Sequence, residues 1–175
     1  MQTVLFEGLF IRSKQLLAWT RKKIDIIEAY VKRDKGDQCL PYVSAGEIYY
    51  AHLGTNIGSE IDKERPVLIF QTDDRFVRES NMALIIPITS NMKKMPYRVM
   101  IHPSDVIENK GITDSSVLVQ QIRSVSKARL STLNGYLCEE KLCEVEHEVN
   151  KLLYNSTPLQ KEGHAQTVIA DAAKT

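Results

Sequence analysis

Between residues 9 and 35, Leu16, Leu17, Ile24, Ile27, Tyr30 and Val31 recur at three-, four- and seven-residue spacings. That period predicts an amphipathic helix. Gly36 and Pro41 end it. Beyond residue 42 the period shortens. Ile48–Leu53, Pro66–Gln71, Ala83–Ile88, Arg98–Ile101 and Val117–Ile122 are short apolar or β-branched runs separated by Gly, Asn, Asp and Ser. Strands of this length suit a small, strongly bent antiparallel barrel. From Glu139 to Tyr154 the helical period returns, with Leu142, Val145, Val149, Leu152 and Leu153 on one face. The last stretch is polar, is broken by Pro158 and Gly163, and reads as a flexible tail. The organisation expected is a helical extension over 1–40, a β-rich domain over 42–155 and a tail over 156–175.

Charge changes this picture in one respect. Across 175 residues the formal net charge is only +1, which announces no nucleic-acid partner. Yet residues 9–35 hold eight basic and three acidic residues, so the basic charge gathers on the first helix. A local basic cleft acts on a phosphate within about 10 Å whatever the global balance. Three cysteines, Cys39, Cys138 and Cys143, lack CxxC spacing, and their odd number argues against a disulfide framework. No apolar run reaches the roughly 20 residues of a membrane helix. The first ten residues lack the basic start of a signal peptide. A cytoplasmic chain is expected.

The usual chemical signatures are absent. His52, His102, His147 and His164 form no pair along the sequence, and the expected reading of each is a satisfied or solvated histidine. There is no HExxH, no paired CxxC, no Walker motif and no dinucleotide glycine pattern. No metal or other cofactor is expected.

Three islands carry more information. The first runs Gly46-Glu47-Ile48-Tyr49-Tyr50-Ala51-His52-Leu53, then Gly58-Ser59-Glu60, then Glu64-Arg65-Pro66-Val67-Leu68-Ile69. The second is Leu84-Ile85-Ile86-Pro87-Ile88-Thr89-Ser90. The third extends from Ser116 through Gln120-Gln121-Ile122-Arg123 to Leu130. In this order and over about two-thirds of the chain, they resemble the MazF/PemK (Kid/ChpA) family of toxin endoribonucleases. The resemblance implies an SH3-like antiparallel β-barrel of the PemK/MazF/CcdB type with a C-terminal helix. The basic N-terminal helix lies outside it and is an addition, expected first to pack on the domain or its dimer mate, and otherwise to extend the RNA surface, or to shield the cleft or dock an antitoxin.

Within that frame Arg65 and Thr89 are the expected catalytic residues. Arg65 lies where the polar 54–64 loop meets a strand, and a guanidinium grips two phosphate oxygens while staying charged. Without the resemblance it reads first as a surface arginine paired with Glu60 or Glu64. Thr89 ends an apolar run, where a hydroxyl reaches a cleft; without the resemblance, Thr89-Ser90 is a turn pair. One branch of the family has a histidine after the loop glycine and an Arg-x-Asp on the later strand. Here those positions are Ser59 and Leu118-Val119-Gln120, so the chain keeps the arginine–threonine pair and lacks that acid–base set.

RNA contacts are expected from Ser59, Lys63, Ser90, Asn91, Lys93, Gln120, Gln121 and Arg123. Arg75, Arg78, Lys94 and Arg98 would add positive charge, Asn56 a base-edge contact and Tyr97 a stacking face. Arg123 is read first as structural or interface support. The partners implied are single-stranded RNA, a second copy of the chain and a MazE-like antitoxin, with operator DNA bound only through the antitoxin and no membrane. The competing readings are a CcdB-like gyrase poison and a non-catalytic RNA- or protein-binding module on the same barrel.

Overall fold

In the computed structural model of the chain, residues 2–34, 40–70, 75 and 79–154 are described. Helix α1 covers Gln2–Asp34. The sheet strands are β1 (Glu47–His52), β2 (Glu64–Ile69), β3 (Met82–Thr89), β4 (Arg98–Ile101), β5 (Val106–Ile107), β6 (Ser115–Leu118), β7 (Arg123–Ser126) and β8 (Leu130–Leu137). Helix α2, Glu139–Tyr154, closes the domain. Both expected helices are present, and so are the expected strands except Val117–Ile122. Gly36, Cys39 and everything beyond Tyr154, including the tail and His164, lie outside the described residues.

The eight strands form one antiparallel, half-barrel sheet in the order β4-β6-β3-β2-β1-β8-β5, and β7 also pairs with β3. Its central strands are buried on both faces, which is why they read as continuous apolar runs rather than clean alternations. Side chains still alternate across the sheet. Ile48, Leu68, Ile86 and Ile88 enter one core with Val99, Val117 and the α2 residues Val145 and Val149. Tyr49, Ala51, Val67, Ile69 and Ile85 enter a second core with Val43 and Val125. Half-buried Ile61, from the 54–64 loop, packs against the second core.

The run read as a single strand, Val117–Ile122, is divided. β6 stops at Leu118, Val119–Gln121 forms a 3₁₀ turn, and β7 begins at Arg123. The reason lies in the registers along one edge of β3. Ile88 pairs with Val117, while Ile85 pairs with Arg123. Between these pairs, the five residues 118–122 face only the two residues 86–87, and the excess bulges outward as the turn. β8 shows similar irregularity against β1, where the register shifts twice. Gly135 sits there at φ +140, and a Cβ on it would lie 2.7 Å from the Ile107 carbonyl oxygen.

Candidate active site

Arg65, second residue of β2, and Thr89, last residue of β3, lie at the same end of two paired strands. Val67 pairs with Pro87 and Ile69 with Ile85, and the pairing ends at Val67–Pro87, two residues short of both side chains. Arg65 is half-buried, and its Nε donates to the Asp62 carbonyl oxygen at 3.0 Å. That bond fixes the root of the guanidinium. Its Nη groups make no hydrogen bond among the described residues, so they remain available to an anion. It forms no ion pair with Glu60 or Glu64. Thr89 is 8% exposed. Its Oγ1 accepts from the Asn91 amide at 3.3 Å, which leaves the hydroxyl hydrogen to donate elsewhere. Ser116, fully buried, pairs with Thr89 across the other edge of β3 and donates to the Asn91 carbonyl at 2.8 Å.

The turn after Thr89 is built from its own side chains. Asn91 Oδ1 accepts from the Lys93 amide at 3.0 Å, an Asx turn. Arg98 Nη1 reaches the Asn91 and Lys93 carbonyls at 3.4 Å, while its buried Nε has no partner. Ser90, Asn91, Lys93 and Lys94 are exposed on this turn. Tyr97 lies at φ 59 and packs against the core.

The 54–64 loop is tied down at several points. The Asn56 amide donates to the Ile61 carbonyl at 2.7 Å. At the loop's base, Lys63 donates its amide to the Gly54 carbonyl at 2.6 Å. Gln121 binds the loop through both ends of its amide, donating to the Ser59 carbonyl at 3.2 Å and accepting from the Ile61 amide at 3.3 Å. Arg123 Nη2 donates to the Ile61 carbonyl at 2.9 Å. Burial lowers the Arg123 pKa most, Glu60 raises it, and Arg129 adds a lowering effect. The loop therefore bridges β2 to the opposite edge of β3. Ser59 and Lys63 are exposed on it, as Gln120 is on the 3₁₀ turn. Gln121, Arg123 and Asn56 spend their side chains on the loop itself. Arg78 lies outside the described residues.

Helix α1 lies against the same loop. Arg12 binds Asp62 Oδ2 at 3.2 Å and the Asn56 carbonyl at 3.1 Å. Thr55 donates to the Gln15 carbonyl at 3.4 Å. Trp19 rests on Gly54, where a Cβ would lie 3.1 Å from the indole. The Arg129 guanidinium stands 5.3 Å from the Trp19 ring and donates to the His52 carbonyl at 3.1 Å. Trp19, Lys22, His52, Gly54, Lys63 and Glu64 line a cleft of about 290 Å³ between helix and sheet. The surroundings of His52 favour its neutral form. Burial lowers its pKa most, and Lys22 and Arg129 push the same way. Glu64, 3.5 Å away, opposes that shift and is outweighed.

Sequence reasoning missed Asp62 and Ser116. Asp62 anchors both Arg12 and, through its carbonyl, Arg65; only the fold brings residue 12 to residue 62. Among the described residues no group of three or more His, Cys, Asp or Glu side chains is gathered to hold a metal ion. None of the described helices is long and apolar enough to cross a membrane.

The fold and site define an antiparallel half-barrel with an arginine near the start of its second strand, a threonine at the end of its third, and a tethered loop leading into the second strand. Residues 44–153 match the family of PemK-like, MazF-like toxins of type II toxin–antitoxin systems, and the chain belongs to that family. It is 34% identical over 108 residues to endoribonuclease EndoA of Bacillus subtilis, a match covering 59% of this chain and 88% of that protein. The crystal structure of MazF from Deinococcus radiodurans superposes with a TM-score of 0.55 at 21% identity, over 66% of this chain and 98% of that one. A mycobacterial endoribonuclease in complex with its cognate antitoxin superposes with a TM-score of 0.50 at 18% identity, over 63% and 94% of the two chains.

Proposed function

We propose that this chain is the toxin of a type II toxin–antitoxin pair and acts as an endoribonuclease that cuts single-stranded RNA at a short sequence without a metal. The observation that carries the reading is that Arg65 and Thr89 lie at the same end of the paired strands β2 and β3, joined to family membership and to 34% identity with a protein named an endoribonuclease. The substrate's 2′-hydroxyl oxygen attacks the adjacent phosphorus and gives up its proton. The bond to the 5′-oxygen breaks, and that oxygen takes up a proton. The products are a 2′,3′-cyclic phosphate and a 5′-hydroxyl. Arg65 stabilises the charge that builds on the phosphoryl oxygens, which suits a guanidinium, a group that holds its proton and makes a poor base. Thr89 donates to the phosphate or orients the 2′-hydroxyl.

Ser59, Lys63, Ser90, Asn91, Lys93 and Gln120 offer exposed contacts to the flanking nucleotides. Gln121 and Arg123 act one step back, by setting the loop that carries Ser59 and Lys63. The working form is a homodimer. Its antitoxin, whose family role is to neutralise the toxin, lays an acidic segment across the surface and displaces the 54–64 loop. Operator DNA is bound only through the antitoxin.

The test is primer extension on a long RNA incubated with purified protein in EDTA. Discrete cuts with 5′-hydroxyl ends, lost in Arg65→Ala and Thr89→Ala, are expected. Intact RNA beside a folded protein would overturn the reading.

A further inference from the structure

Helix α1 has a second face that the barrel does not use. Arg12, Gln15, Trp19 and Tyr30 point to the domain, through contacts with Asp62, Thr55, Gly54 and Asn81. Roughly a third of a turn round the helix, at about 100° per residue, Phe10, Leu17, Ile24 and Val31 fall at strict seven-residue spacing. They are 61%, 66%, 50% and 45% exposed, and Leu16 and Ile27 beside them are 53% and 50% exposed.

We propose that this stripe pairs with the same stripe of a second copy of the chain, as a parallel two-helix seam. Three observations point to that occupant. A seven-residue apolar repeat keeps one seam facing a helical partner along its length, and a second α1 supplies the matching repeat. The six side chains bare about 600 Å² per copy, so two copies bury about 1,200 Å², above the roughly 1,000 Å² that a specific interface clears. Charge fits as well. Lys23 borders one edge of the stripe and Glu28 the other, so in a parallel pair Lys23 of each copy meets Glu28 of its mate.

The polar positions within the seam are already satisfied. Ser13 and Thr20 donate to the Leu9 and Leu16 carbonyls of their own helix, each at 2.9 Å. Burying these hydroxyls strands no donor. The interface is separate from any contact between barrel domains, because its residues lie on α1 alone, outside the 44–153 family match.

The test is the mass of the full chain by light scattering, beside a Leu17→Lys/Ile24→Lys variant. If barrels also dimerise, as proposed above, a tetramer falls to a dimer; if they do not, a dimer falls to a monomer. Because a seam within a barrel dimer would leave the mass unchanged, equal masses overturn the inference when the cross-linking rates below are also equal, whatever the outcome of the RNA assay. A second measurement uses the chain with Cys39, Cys138 and Cys143 changed to serine. Under mild oxidation Thr20→Cys should give covalent dimers at least tenfold faster than Asp25→Cys, on the polar face. Equal rates overturn the parallel seam.

Discussion

Arg12 and Asp62 meet at 3.2 Å, fifty residues apart in sequence. The pair fastens the added helix to the residue whose carbonyl also holds Arg65. One side-chain contact therefore couples α1 to the loop over the candidate active site. Arg12→Ala should free the loop while leaving the barrel intact. The pair is partly exposed, and such pairs contribute at most about 1 kcal/mol. Hydrogen exchange at the Asn56–Asp62 amides should quicken several-fold, with little change in melting temperature. Unchanged protection across the loop would show that its other tethers, among them Gln121, Arg123 and Asn56, hold it without Arg12.

Gly54 is required on two counts. It lies at φ +98, in the region L side chains avoid, and its missing Cβ is where Trp19 sits. Gly54→Ala would strain the backbone and push the indole outward. A loss of about 1–3 kcal/mol is expected for strain of this kind. Urea denaturation gives the stability, and emission from the lone Trp19 should shift to longer wavelength as the ring meets water. An unshifted spectrum would mean that the helix follows the displaced loop.

The half-buried His52 should make stability depend on pH. Its folded-state pKa lies below the ordinary value of about 6.5. As pH falls, the unfolded chain takes up this proton first, so stability declines below about pH 6.5 and levels off once the folded histidine is also protonated. His52→Gln removes that step. Urea midpoints at pH 7.5 and 5.5 should therefore differ less in the variant than in the parent. An equal difference would assign the pH dependence to other groups.

The helices and the buried strands were legible because their apolar periods are long and uninterrupted. α2 matches its expected bounds, Glu139–Tyr154, residue for residue. The helical period is clear from residue 9, although α1 itself reaches back to Gln2. β8, Leu130–Leu137, was not legible. Its pattern is broken by Asn134 and Gly135, and its pairing with β1 is interrupted by two register shifts. At the candidate site, Arg65 and Thr89 were picked out from short islands, whereas the pairing that brings the ends of their strands to one side of the sheet is a property of the fold. Gln121 and Arg123 were readable as polar groups near a strand end. That their side chains hold the 54–64 loop depends on contacts about sixty residues apart, beyond the reach of any local pattern.

Thr89 separates a hydroxyl's chemistry from the space it fills. The residue is buried, so Thr89→Val keeps nearly the same shape and preserves packing against β6, at the cost of the acceptor for the Asn91 amide. Thr89→Ser keeps the hydroxyl and leaves a methyl-sized gap. If the hydroxyl binds the phosphate or the 2′-oxygen in the transition state, Thr89→Val should lose about 10²–10³-fold in kcat/KM, the range for removing one transition-state donor. Thr89→Ser should retain most of the activity despite a lower melting temperature. The opposite order, with the valine variant active and the serine variant impaired, would mean that Thr89 serves only to pack the end of β3. Charge stabilisation would then rest on Arg65 alone.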